Sequence, residues 1–405
     1  MKFSIYTLFL FALCLLHFIF ALRTNAYFSV DDFSVLAYFD THSLTDILKF
    51  PITADMFGFH KIVGYINFYF LFAIFGTNQS AYIVNNFLLH LANVILVYLV
   101  ARGLTKKPLV SVFAGVLFSH FYLSYFSNIH EYLVTFFSLL SIFLALQKNY
   151  KYSLFTFLLS LLSKEVGVFT FLFLLAAVPK KHWKLLKWHF LLALLYIAYQ
   201  AFFALNGNLV PQGNSAYEFT TNPFHIMQRY IVFFNPLLIT ILPLVALIAK
   251  NKKATVLFVT SLISLLPFGM LASRPEIYYR YLPAAILAIG IAVLLAKLKT
   301  TYALLSTLLI IILFGGRAIF PPIAWDTFPN WEKESLQQVI GHIETALLTN
   351  PHQDTISLEG IEVKRDARLM LLSNTTHLFV AEPLQQFIFD YSPETNMVQV
   401  KNLGI

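Results

Sequence analysis

The chain predicts an all-α polytopic membrane protein with about eleven transmembrane helices. Amphipathic interfacial helices are expected in a long first outside loop, and a small α+β domain at the C-terminus. Three observations carry this reading. Of 405 residues, 58% are hydrophobic and only 12% charged, with 43 Phe, whereas soluble domains run near about 25% charged. Apolar runs long enough to cross about 30 Å of hydrocarbon recur along the first 316 residues. The basic residues are segregated into alternate loops, the pattern that orients membrane proteins.

The apolar runs lie near 4–22, 81–101, 109–126, 131–147, 152–179, 188–205, 228–249, 255–272, 282–296 and 301–316. The 152–179 run is too long for one straight span and carries Ser163-Lys164-Glu165 in its middle, so it reads as two short helices meeting at that polar point. The segment Ile62–Phe75 is apolar but short and is placed half-buried at the interface.

The loop charges set the orientation. Lys2, Arg102, Lys106, Lys107, Lys148, Lys151, Lys180, Lys181, Lys184, Lys187, Lys250, Lys252, Lys253, Lys297 and Lys299 make fifteen of the twenty-two Lys and Arg before residue 317, and no acid lies among them. The intervening loops hold Asp31, Asp32, Asp40, Asp46, Asp55, Glu131, Glu165, Glu218 and Glu276. The positive-inside rule then makes the N-terminus cytoplasmic and residues 23–80 external. An odd number of crossings places the C-terminal domain outside as well, and a bacterial cell membrane is the expected setting. Reading 4–22 as a cleaved secretory signal ending at Thr24-Asn25-Ala26 fits less well, because the apolar stretch exceeds the usual length of about 7–15 residues. The net charge of +8 belongs to these loops and does not point to nucleic acid. The single cysteine, Cys14, excludes an intrachain disulfide or a cysteine-rich metal site.

In the first outside loop, Asp32 through Phe39 and Leu44 through Phe50 place apolar residues at helical spacing with carboxylates on the other side, as in helices lying along a membrane surface. Pro51 is expected to end the second. The loop 206–227, rich in Asn, Gly, Thr and Pro, is expected to be a mobile flap. From residue 317 the composition changes, which divides the chain into a membrane domain, 1–316, and an appendage, 317–405. Trp331–Leu348 reads as an amphipathic helix. Strand-like stretches follow at Thr355–Val363, Arg368–Leu372, His377–Val380, Phe387–Tyr391 and Met397–Val400.

The external face collects a particular set of polar groups: Asp31 and Asp32 after the first span, His60 and Lys61 before the interfacial segment, His130-Glu131 at a tight turn, Lys164-Glu165 inside an apolar hairpin, and Arg274, Glu276 and Arg280 with Tyr278, Tyr279 and Tyr281 between two later spans. Ionisable residues at membrane depth are costly and are functional by default. Group transfer from a lipid-linked phosphate needs such a set. A carboxylate can take the proton of an acceptor hydroxyl, and cations can stabilise a departing phosphate. A second carboxylate could hold a divalent cation, Mg or Mn, with Asp32 and Glu131 as its ligands. Plainer roles stay open beside these: the aspartates or His130-Glu131 as helix caps, Lys164 and Glu165 as a mutual pair, Arg280 reaching headgroups, and His90 as a helix–helix hydrogen bonder.

Several stretches resemble the GT-C superfamily of membrane glycosyltransferases, within it the protein O-mannosyltransferase-like branch. They are Asp31-Asp32, Phe75-Gly76 through Asn85-Asn86-Phe87-Leu88-Leu89-His90, Phe113 to Glu131 running into Tyr132-Leu133-Val134, Leu162-Ser163-Lys164-Glu165, and Arg280-Tyr281-Leu282-Pro283. The resemblance covers about residues 1–300. It implies a GT-C-like helical fold and a polyprenyl-phosphate-linked sugar as donor. It also implies inverting transfer to an acceptor hydroxyl of a protein, lipid or polysaccharide on the outer face. The family's first-loop Asp corresponds to Asp31 or Asp32, with Asp32 favoured as base, Asp31 supporting, and Glu131 as the second acid. Substrate contacts are expected from His60, Lys61, His130, Lys164, Glu165, Arg274, Arg280 and Tyr281. The chain departs from the family in carrying His60-Lys61 where relatives often have Arg-Pro, and in lacking tetratricopeptide repeats. The competing reading is a multi-span transporter or flippase of lipid-linked saccharide; its expected marks, paired halves and mid-membrane polar residues, are not evident. A third reading, an assembly or anchoring protein presenting the C-terminal domain, would not need these charges grouped on one face.

Overall fold

The structure, a computed structural model, describes residues 5–23, 30–53, 61–121, 129–205, 220–233, 243–270, 277–298, 330–350, 353–361, 363, 370–371, 387–393 and 395–402. The expected span at 301–316, the domain boundary near 316, the strand at 377–380 and residues 206–219 of the expected flap lie outside the described residues. So do His60, Arg274 and Glu276.

Helices dominate: α1 (Ile5–Arg23), α2 (Val30–Thr41), α3 (Leu44–Thr53), α4 (Ile62–Phe75), α5 (Gln79–Thr105), α6 (Pro108–Ser119), α7 (Ile129–Leu146), α8 (Tyr150–Leu161), α9 (Thr170–Ala177), α10 (Lys187–Leu205), α11 (Pro223–Phe233), α12 (Lys252–Gly269), α13 (Tyr281–Leu295) and α14 (Asn330–Thr349). Among the described residues four helical stretches, Gln79–Thr105, Ile129–Leu146, Lys180–Phe202 and Lys252–Gly269, are long and apolar enough to cross a membrane, and five shorter apolar helices accompany them. Eleven crossings are not shown.

The expected breakpoint inside 152–179 is present. α8 stops at Leu161, a 3-10 turn runs from Glu165 to Phe169, and α9 follows. Neither leg reaches the full hydrocarbon thickness. The 12 residues of α8 span about 18 Å at 1.5 Å per residue, against a core of about 30 Å. The turn needs Gly167, because a Cβ there would stand 2.4 Å from the Ser160 carbonyl oxygen.

The basic loops gather at one end of the bundle. Lys107 Nζ donates to the Leu298 carbonyl and Lys297 Nζ to that of Ala249, while Gly103 of α5 abuts Leu146 of α7. Lys106, Lys148 and Lys250 each adopt a left-handed conformation. In two of these turns the same rings form: Lys148 N–H bonds the Ala145 carbonyl and Asn149 N–H that of Leu144, and Lys250 and Asn251 repeat this on Leu247 and Ala246. These are Schellman closures, which end a helix by satisfying its last carbonyls.

The acid-bearing segments meet at the other end. The Val63 N–H of α4 bonds the Leu162 carbonyl at the end of α8, so α4 starts against the turn of the 150–177 hairpin. The bundle interior between is polar at one level. His90 Nε2 donates to the Ser119 carbonyl, which fixes the tautomer so that Nδ1 accepts from the Tyr281 hydroxyl, at 2.9 and 2.7 Å. Asn93 Nδ2 donates to the Tyr132 carbonyl. α5, α6, α7 and α13 are thereby tied together, and His90 is a helix–helix hydrogen bonder.

α2 and α3 form where the amphipathic spacing placed them, with two corrections. The carboxylate of Asp32 is not on a solvated side: the residue is 0% exposed. The helix α3 passes through Pro51 to Thr53; in a last turn proline costs only one backbone bond. The Asp46 side chain makes one half of a capping box at the start of α3, its Oδ2 accepting from both Ser43 N–H and Ser43 Oγ at 3.0 and 2.7 Å.

Of the appendage, α14 and three strands are described, β1 (Thr355–Ser357), β2 (Phe387–Ser392) and β3 (Met397–Asn402), antiparallel in the order β1-β3-β2. The pairs Phe389 with Val400 and Tyr391 with Val398 share one face, which packs with Leu336, Val339, Ile343 and Leu347 of α14. Met370 and Leu371, expected in a strand, fall in a helical turn. This core does not stand apart: the same apolar cluster continues through Phe33, Leu36, Phe39, Ile47, Ile62 and Phe68 of α2, α3 and α4.

Candidate active site

Four chain segments deliver the charged groups of the acid-bearing end. The first turn of α7 carries His130 and Glu131; the α8–α9 hairpin turn carries Lys164 and Glu165; Lys61 precedes α4; Tyr279 and Arg280 lie in the 3-10 turn Ile277–Arg280 that opens α13. Each is placed by a helix terminus, so the backbone breaks of an apolar bundle are where polar side chains can meet.

At the centre Lys164 Nζ donates to Glu131 Oε1 in a buried ion pair, the two side chains 4% and 2% exposed. Two aromatic rings also flank the ammonium. Lys164 Nζ lies 4.7 Å from the Tyr279 ring centroid and 5.6 Å from that of Phe268, and the two rings stack at 4.0 Å. A cation so enclosed gains both Coulomb and cation–π stabilisation, which offsets its removal from water. Lys61 acts electrostatically on both His130 and Glu131, and Glu165 on both Lys164 and Glu131. The cluster of Lys61, Lys164, Glu131 and Glu165 thus holds two basic and two acidic side chains.

His130 packs edge-on to Tyr65 at 4.9 Å and fills the space over Gly64, where a Cβ would fall 1.9 Å from its Nδ1. Arg280 stacks over Phe121 at 5.2 Å. Asp32 is buried beside Tyr82, whose phenol feels its charge and whose hydroxyl donates to the Gly76 carbonyl. Asp31 lies in α2, with its side chain outside the described residues.

The structure therefore brings together Lys61, His130, Glu131, Lys164 and Glu165, and sets Arg280 next to Tyr279 at the same end. Tyr281 goes elsewhere: fully buried, its hydroxyl is held by His90. His60 and Arg274 lie outside the described residues. Sequence reasoning missed Phe268, Tyr65, Gly64 and Phe121, since in a chain with 43 Phe one more aromatic carries no signal.

A divalent cation held by Asp32 and Glu131 would compete with Lys164, which already pairs with Glu131 in a buried site. Among the described residues no group of three or more His, Cys, Asp or Glu is assembled to hold a metal. No family model, no curated protein and no solved structure matches this chain.

Proposed function

We propose that the chain is a multi-pass membrane glycosyltransferase of the GT-C kind. It would move a sugar from a polyprenyl-phosphate donor to an acceptor hydroxyl at the acid-bearing, external end. The observation that carries this reading is the convergence of Lys61, Glu131, Lys164 and Glu165, with Arg280 nearby, at helix breaks of an apolar bundle. In the transfer a carboxylate takes the acceptor proton while the acceptor oxygen forms the new bond to the anomeric carbon. The bond from that carbon to the phosphate oxygen breaks, and the phosphate leaves with its electron pair. The cations serve that departing charge: Lys164 exchanges the Glu131 carboxylate for the phosphate, with Lys61 and Arg280 beside it. Asp32, the buried member of the first-loop aspartate pair, is the favoured base by the family resemblance, and Asp31 supports it.

Transfer from a labelled polyprenyl-phosphate sugar in membranes tests this. Asp32→Asn should lower the rate about 100-fold or more, and Lys164→Met should do so through donor use. Full activity in both Asp31→Asn and Asp32→Asn would remove the base assignment.

One observation favours the transporter or flippase reading. Glu131 and Lys164 form an ion pair buried inside the apolar bundle, and Glu131 lies about 22 Å along α7 from its far end, short of a full hydrocarbon core of about 30 Å. Ionisable residues buried at membrane depth also mark ion and substrate pathways. Movement of the labelled lipid across vesicles, without sugar transfer, would select that reading.

A further inference from the structure

The segment between α9 and α10 is unused by the reading above, yet it carries four lysines in eight residues, Lys180, Lys181, Lys184 and Lys187. Residues Lys180–Leu186 form a 3-10 helix that leads into α10. With three residues per turn, side chains three apart line up in rows, and the sequence fills the three rows differently. Lys181, Lys184 and Lys187 make one row, all exposed. His182, Leu185 and Trp188 make a second, His182 half-buried and the other two 49% and 56% exposed. Lys180, Trp183 and Leu186 make the third, in which Leu186 is buried at 1% and Trp183 is tied by its indole N–H to the Val178 carbonyl. Lys180 and Lys187 lie over the rings of Trp183 and Trp188 at 5.7 and 5.1 Å.

The ridge is also clamped from below. His189 is 1% exposed and its Nε2 hydrogen-bonds Ser153 Oγ at 3.0 Å, while Ser141 Oγ donates to the Ser153 carbonyl at 2.8 Å. This places the start of α8, with exposed Lys151 and Tyr152, against the start of α10. The result is a rigid arrangement with no acidic residue between 166 and 217. The apolar part of the second row, Leu185 and Trp188, lies beside a row of ammonium groups about 6 Å apart along the axis.

We propose that this ridge is a binding site for anionic phospholipid headgroups. The lysine row pairs with lipid phosphates while Leu185 and Trp188 seat among the upper acyl carbons. Charge complementarity selects this occupant: tryptophan and lysine rows of this kind suit the boundary between headgroups and hydrocarbon, and a negatively charged leaflet attracts them. Paired indoles with apolar neighbours distinguish the ridge from a plain basic loop.

The test uses the full chain in nanodiscs of equal phosphatidylglycerol and phosphatidylcholine, reading the lipids that stay bound by native mass spectrometry. The expected result is enrichment of phosphatidylglycerol that falls more than about 10-fold in Lys181→Gln/Lys184→Gln/Lys187→Gln and persists in the matching Arg triple. Removing three charges from the neighbouring basic loop, Lys250→Gln/Lys252→Gln/Lys253→Gln, should leave it largely intact. Thermal unfolding in phosphatidylcholine alone establishes that each variant is folded, and Lys184→Gln alone, with a smaller expected loss, serves if the triple is not. Equal enrichment in the wild-type and Gln-triple chains, an equal fall in the neighbouring-loop triple, or loss of copurifying nucleic acid instead of lipid would each overturn the proposal.

Discussion

At the scale of the residue, the ion pair of Glu131 and Lys164 is buried on both sides, the side chains 2% and 4% exposed. Removing one partner leaves a charge in a dry site, so Lys164→Met should destabilise the protein by about 3–5 kcal/mol. Glu131→Gln/Lys164→Met should recover part of that loss. A double-mutant cycle from denaturant unfolding in detergent measures both. Gly64 is the second sensitive point: Ala there must push His130 off its place, and altered proteolysis near 61–65 together with lost transfer activity is the expected readout. The sequence showed which residues are ionisable and roughly where they lie, because charge in an apolar chain stands out. It could not show that Glu131 and not Glu165 directly takes Lys164. Glu165 opens the turn's 3-10 helix while Glu131 comes from another helix, and only the packing of α7 on the hairpin settles that choice.

At the scale of the element, two short segments depend on local devices. The hairpin of α8 and α9 turns at Gly167, whose missing Cβ leaves room for the Ser160 carbonyl. That neighbour is backbone and cannot rotate away, so Gly167→Ala should be among the most damaging single substitutions outside the charged cluster. Lower yield and thermal stability in detergent, compared with Gly341→Ala, which meets nothing within 4 Å, check this. In α3 the hydrogen bonds from Ser43, and then the Lys49 ammonium, hold the Asp46 carboxyl well below its ordinary value of 3.8. A depressed acid contributes stability that is full above that ordinary value and is lost as the pH falls further. Amide exchange in α3 should therefore stay constant from neutral pH to about 4 and quicken only below it, after correction for intrinsic exchange. Ser43→Ala should remove much of the acid-dependent change. Helix positions were legible because apolar spacing is a local property. Two lengths, a hairpin whose legs fall short of the hydrocarbon thickness and an α3 that continues past Pro51, depend on tertiary support and were not.

At the scale of the whole molecule, charge segregation was the clearest signal, and the structure gathers the described loop lysines at one end. Cys14 is buried, so a Cys14→Ala background permits single introduced cysteines as reporters. A thiol reagent that does not cross membranes should label Lys181→Cys only from the cytoplasmic side and Thr41→Cys or Glu359→Cys only from outside. Labelling of 181 and 359 from the same side would overturn the proposed orientation. What the sequence concealed is the continuity of the appendage with α2, α3 and α4. A composition change near residue 317 marks a change of solvent more readily than a change of core.

The left-handed lysines at 106, 148 and 250 carry a consequence of their own. Glycine would adopt that geometry without the penalty of a side chain, so a chain selected only for tight turns would have used it. Lysine there trades conformational ease for a vote on insertion. Stability and topology become separable in these positions. Replacing all three by Gly should tighten the folded bundle slightly while raising the fraction of molecules inserted upside down.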